Sequence, residues 1–183
     1  RLHPCRGLRG HARARLDLMQ RLVPPALHRL LYRIAYRVRR GFRRAFRVPI
    51  YGVNAVLRDA QGRVLLVRHS YGPPHWTLPG GGHGKREDPA QAVRRELREE
   101  LSIAIAELEH LQTYEEVLSG APHQSSLFAG IALGEPRPDG REVIAACFFA
   151  ADDLPASLPA SVRMRLDLWL AVERDRDGHS SGS

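Results

Sequence analysis

From residue 25 to 46, apolar side chains recur at three- and four-residue steps: Leu27, Leu30, Leu31, Ile34, Val38, Phe42 and Phe46. Arg29, Arg33, Arg37, Arg40 and Arg44 fill another face, so the pattern predicts a basic amphipathic helix over residues 25–47. Pro24 and Pro25 suit its start, and Gly41 weakens its last turns. After Pro49 the period shortens. Residues 50–57 and 64–67 predict two strands of a hairpin around the turn Asp59-Ala60-Gln61-Gly62. A loop rich in Gly, Pro and aromatics covers 71–84, and a helix follows over 89–101. Further strands are expected near 111–118, 127–133 and 143–150. A helix at 161–172 then sets Val162, Leu166, Trp169 and Leu170 on one side. Strands interleaved with two helices predict one mixed α/β domain.

Composition supports a packed core, since 43% of the 183 residues are hydrophobic. Two cysteines, Cys5 and Cys147, exclude a disulfide framework or a cysteine-built zinc site, and Cys147 lies in an apolar run that predicts a buried thiol. No apolar stretch reaches the roughly 20 residues of a membrane-spanning helix, and a cytoplasmic location is expected.

The net charge of +8 is unevenly spread. Residues 1–48 hold 14 Arg against the single acid Asp17, whereas the remainder carries more acids than bases. Residues 1–24 are expected to be a disordered basic arm, 48–175 the folded body and 176–183 a disordered tail. The chain does not begin with Met, and Met19 opens the first periodic segment. A native product starting at Met19 is therefore expected, with intact mass as its check. The basic helix can dock on the body. It can also contact an anionic membrane peripherally, or a nucleic acid.

The helix at 89–101 carries the chemistry. Asp88 can cap it, Pro89 suits its first turn, and Gln91 completes a capping-box pattern. With Glu96 taken as zero, Glu99 falls near about −60° and Glu100 near about +40°, beside the apolar arc of Ala90, Val93, Leu97 and Leu101 at about +60° to +140°. Like charges at these spacings cost roughly 0.2–0.5 kcal/mol per pair, and carboxylates near a helix C-terminus oppose its dipole. A divalent cation would neutralise such a stripe, and hard oxygen donors suit Mg²⁺ or Mn²⁺.

The preceding loop sharpens this reading. Residues 79–100 read PGGGHGKREDPAQAVRRELREE. Gly81, then Glu87, then Arg95-Glu96 with Glu99-Glu100 resembles the signature of the Nudix hydrolases, and Trp76-Thr77-Leu78-Pro79-Gly80-Gly81 resembles that family's approach to it. The resemblance implies a Nudix-type α/β/α sandwich with a mixed sheet, and a metal-dependent pyrophosphohydrolase acting on nucleoside diphosphates linked to another moiety. It implies Glu96, Glu99 and Glu100 as metal ligands, with the Gly80 carbonyl as a further one. Gly80, Gly81 and Gly82 would admit the substrate diphosphate. Glu96 and Glu99 with Arg95 and Glu87 would form the catalytic set, the last two orienting the carboxylates. Three positions depart from the family pattern: Ser102 stands where Gly is usual, Arg86 replaces the Gly before the first signature Glu, and Gly84 replaces a frequent acid.

Glu142, Glu115 and Glu116 are candidate general bases, Glu142 ahead because it opens a strand. His123 is read as an exposed loop histidine, Trp76 as loop packing and Tyr71 as a candidate base stacker. Gly84-Lys85 is no phosphate-binding loop, because Pro79 and Arg86 stand where that motif needs Gly and Ser or Thr. Two other readings stand beside the enzyme: a Nudix-fold regulatory module that binds nucleotide without cleaving it, and an RNA-end or membrane-surface protein using the basic arm.

Overall fold

The computed structural model describes residues 49–118 and 121–180. The basic arm and the helix expected over residues 25–47 lie outside the described residues. Six strands form one mixed sheet: β1 (Ile50–Arg58), β2 (Val64–His69), β3 (Gly80–His83), β4 (Ala104–Leu118), β5 (Ala121–Leu133) and β6 (Val143–Phe149). The main path runs β4-β5-β1-β2-β6, and β3 pairs with β1 off that path. β1 is parallel to β5, and the other pairings are antiparallel. Two helices complete the body, α1 (Pro89–Leu101) and α2 (Ala160–Ser180).

Alternation along β1 decides which helix covers which face. Val53, Ala55 and Leu57 pack with Ala92, Val93, Leu97 and Leu101 of α1 in one core. Val56 joins Val64, Leu66, Leu78 and Leu127 against Val162, Leu166 and Trp169 of α2 in the other. The chain is therefore the expected α/β/α sandwich. Cys147 is buried as predicted but is not a free thiol, because its sulfur is disulfide-bonded.

Three boundaries differ from the sequence pattern. The loop expected over 71–84 contains β3, whose glycines carry no strand signal because their pairing to Tyr51–Asn54 is made by backbone alone. β4 and β5 are longer than their apolar runs, since polar residues alternate along them and β4 is bulged between Ala106 and Glu109 and between His110 and Gln112. α2 continues to Ser180, through residues expected to belong to the tail.

β1 forks, and the fork places the site. Its C-terminal end pairs with β2 at Arg58, while its N-terminal half pairs with β3 from Tyr51 to Asn54. At the crotch, Ala55 N donates to the Pro79 carbonyl at 2.9 Å. The glycine strand is thereby fixed beside α1.

Candidate active site

α1 begins and ends as its sequence dictates. Asp88 accepts from Ala90 N at 3.3 Å, and Pro89 fills the first turn. Ser102 closes the helix at φ 56°, ψ 30°, the left-handed conformation that glycine adopts without penalty. Its N–H donates to Arg98 O at 3.1 Å. The last two carbonyls of the helix are taken by the loop before β6, where Arg137 N donates to Leu101 O at 2.7 Å and Asp139 N to Glu100 O at 2.8 Å. The Asp139 carboxylate then accepts from the backbone N–H groups of Arg141, Glu142 and Val143. This folded-back loop brings Glu142 to the helix end.

Four carboxylates with different surroundings result. Arg95 organises the outer ones. Its Nε donates to Glu87 at 2.9 Å and its Nη1 to Glu96 at 2.8 Å, while Glu99 lies 3.6 Å from the same Nη1. Its Nη2 reaches the Gly82 carbonyl at 3.4 Å. Glu87 consequently sits below the usual carboxylate range, chiefly through its bond to Arg95, and Arg95 is held still more firmly cationic. Glu96 is pushed upward, because burial outweighs its bond to Arg95. Glu99 points outward, its side chain 62% exposed.

Glu100 is the extreme case. It is 6% exposed, its Oε2 has no hydrogen-bond partner, and burial first, then the charges of Glu142, Glu96, Asp139 and Glu99, push it up to about 9. A side chain at the margin of the apolar arc has been drawn into the core. Tyr71 lies 3.5 Å from Glu142, and burial with the Glu142 charge raises its phenol well above its ordinary value.

β3 presses against this helix. A Cβ on Gly81 would stand 2.4 Å from Glu96 Cδ, so any side chain there would push the Glu96 carboxylate from its place. Gly80, at φ 153°, would meet Val53 O at 2.0 Å. Each substitution has to move backbone or a site side chain.

The residues singled out in the sequence thus fall into two groups. Glu87, Arg95, Glu96, Glu99, Glu100 and the three glycines come together at the junction of β3 with α1, and Glu142 joins them from its loop. Glu115 and Glu116 do not, for both lie on β4 and Glu116 binds His123 at 3.1 Å and Arg165 at 3.1 Å. His123 is a correction. It belongs to β5 rather than a loop, and its side chain is only 11% exposed. Trp76 packs edge-on against Phe149, as its packing reading holds, and Tyr71 stacks on His69 instead of standing free for a base.

Among the described residues, no three acidic, histidine or cysteine side chains converge tightly enough to define a preformed cation site. Arg95 draws Glu96 and Glu99 toward itself, which spreads the set. The donor chemistry nevertheless fits a hard dication: carboxylate oxygens on one helix face, and a buried Glu100 oxygen with nothing bonded to it.

A mixed sheet between two helices, with a glycine strand against an acidic helix, defines a class of α/β/α sandwiches whose site is borne on helix and loop. Residues 48–168 match the NUDIX domain, and the chain belongs to the Nudix hydrolase family. It is 31% identical to the MutT NUDIX hydrolase from Burkholderia pseudomallei, covering 66% of this chain and 98% of that one with a TM-score of 0.59. The RNA pyrophosphohydrolase of Saccharophagus degradans is 41% identical over 59 residues, 32% of this chain and 35% of that protein. The match thus spans about a third of such a curated relative. The NUDIX domain of Shewanella oneidensis NrtR, solved with ADP ribose, shares the fold at a TM-score of 0.58 and 23% identity, with 71% of this chain and 90% of that one covered. Among the described residues, no helix is long and apolar enough to cross a membrane.

Proposed function

We propose that the chain is a divalent-metal-dependent pyrophosphohydrolase that cleaves a pyrophosphate bond in a nucleoside diphosphate linked to another moiety. The observation that carries this reading is Glu100, a buried carboxyl with an unpartnered oxygen among Glu142, Glu96 and Glu99. A structural helix gains nothing from that arrangement, because burying an unpaired polar oxygen costs about 1–3 kcal/mol.

Glu96, Glu99 and Glu100, with the Gly80 carbonyl, are the groups that would hold Mg²⁺ or Mn²⁺. Bound there, the ion supplies positive charge to phosphate oxygens and acidity to an attacking water. The chain's own residues do the rest. Arg95, gripped by Glu87, holds Glu96 in place and leaves Glu99 at the surface. The bare backbone of Gly80, Gly81 and Gly82 leaves room for a diphosphate beside the carboxylates. Glu142, delivered by the Asp139 turn, is positioned to accept the proton of the water that attacks phosphorus.

One alternative substrate is the 5′ end of an RNA, favoured by the names of the curated relatives and by the arginine-rich arm. The regulatory alternative is a module that binds nucleotide without cleaving it, and the NrtR domain solved with ADP ribose shares the fold such a module would use. A panel of nucleoside triphosphates, dinucleotides, nucleotide sugars and 5′-triphosphorylated RNA, assayed with Mg²⁺ or Mn²⁺, separates them. The hydrolase reading expects turnover of at least one member and loss of about 100-fold or more in kcat for Glu99→Gln or Glu100→Gln. Nucleotide binding without any turnover contradicts it.

A further inference from the structure

At one end of the sheet, where β1 starts beside the β4–β5 pair, lies an open cleft of about 410 Å³. Pro49, Ile50, Val117 and Pro122 wall it, and Glu115 and Glu116 are its acids. Val117 is 75% exposed, so one apolar wall stands bare among the described residues. The two carboxylates differ. Glu116 Oε1 accepts from Arg165 Nη2 at 3.1 Å and lies 3.1 Å from His123 Nδ1. Glu115 is exposed and makes no ion pair among the described residues. A cleft of this kind repels phosphate and suits an occupant that is apolar and cationic at once.

The chain itself carries such an occupant next to the cleft. Residues 29–47 hold eight arginines and no acid. On a helix with Phe46 at zero, Phe42 falls near about −40°, Arg43 near about +60° and Arg47 near about +100°, so an aromatic pair is flanked by a basic row. Phe46 and Arg47 stand three and two residues before Pro49. Chain geometry alone therefore keeps their Cα atoms within about 11 and 8 Å of a residue that walls the cleft. A tether this short gives an effective concentration of about millimolar, which favours the chain's own segment over that of a second copy.

We propose that the cleft is the docking site of residues 42–47, the end of the basic helix expected over residues 25–47. Phe42 and Phe46 cover Val117, Ile50 and Pro122, and Arg43 and Arg47 face Glu115. Gly41 makes this end of the helix marginal on its own, and the contacts in the cleft offset that weakness. Docking needs neither metal nor nucleotide, so it stands apart from the hydrolase reading.

Hydrogen exchange read by mass spectrometry on the full chain, without metal or nucleotide, tests it. Amides of residues 42–47 should exchange about tenfold or more slowly than in the same chain in urea. Glu115→Arg and Val117→Ser, both at exposed positions, should each cut that protection about threefold or more and leave exchange in β1–β6 unchanged. Glu135→Arg makes the same charge change at an exposed position beyond the far end of β5, and should leave the protection as it is. Wild-type exchange as fast as in urea overturns the proposal, as does protection that ignores Glu115→Arg and Val117→Ser or that falls equally with Glu135→Arg. Protection that rises with protein concentration would seat a second copy's segment in the cleft, and protection seen only with phosphatidylglycerol vesicles or with RNA would give the helix to a polyanion. Either result overturns it too.

Discussion

Burial and the charges of Glu142, Glu96, Asp139 and Glu99 hold the Glu100 carboxyl at about 9, against 4.5 for a free glutamate. A group with a raised folded value binds its proton more tightly in the native state. Its contribution to stability is therefore full below about 4.5 and is lost as pH rises toward 9. In chelator, the urea stability of the wild type should fall by up to about 4 kcal/mol between pH 5 and pH 8.5 through this group alone. Glu100→Gln should flatten that slope and be the more stable protein at pH 8.5, while losing turnover. An unchanged slope in the variant would place the cause elsewhere. The helical angles put Glu100 beside the apolar arc, so its burial was half legible in the sequence. The role of Glu142 was less so, since the Asp139 turn that delivers it depends on hydrogen bonds to the end of a helix far away in the chain.

At the scale of elements, legibility followed local chemistry. α1 matches its expected span because Asp88, Pro89 and the apolar period all act within a few residues. β3 was invisible, since glycines pair there only because β1 forks to receive them. His123 was misplaced for a related reason: β5 extends well before its apolar run, held by its parallel partner β1 from Ile50 onward. The end of α1 offers a clean test. Ser102 occupies a left-handed conformation, so Ser102→Gly should add about 1 kcal/mol of stability and raise Tm by a few degrees. Scanning calorimetry reads this directly, and a destabilised variant would show that the hydroxyl makes a contact outweighing the backbone strain.

For the whole molecule, the body splits its labour across the sheet. The face under α1 borders the carboxylates, and the face under α2 is packed with the apolar side chains of Val56, Leu66, Leu127 and Trp169. This division predicts that removing residues 1–47 leaves kcat/KM for a small soluble nucleotide within about twofold, because the described body contains every group assigned to the site. A large loss with the fold preserved would show that the arm builds part of it. Dication capture by Glu96, Glu99 and Glu100 is what the proposed chemistry requires most, and isothermal titration of Mg²⁺ and Mn²⁺ into the chelator-treated chain, with and without nucleotide, examines it directly. Uptake that strengthens with nucleotide and disappears in Glu100→Gln is the predicted result. No uptake under either condition, from a chain shown to be folded, would contradict it.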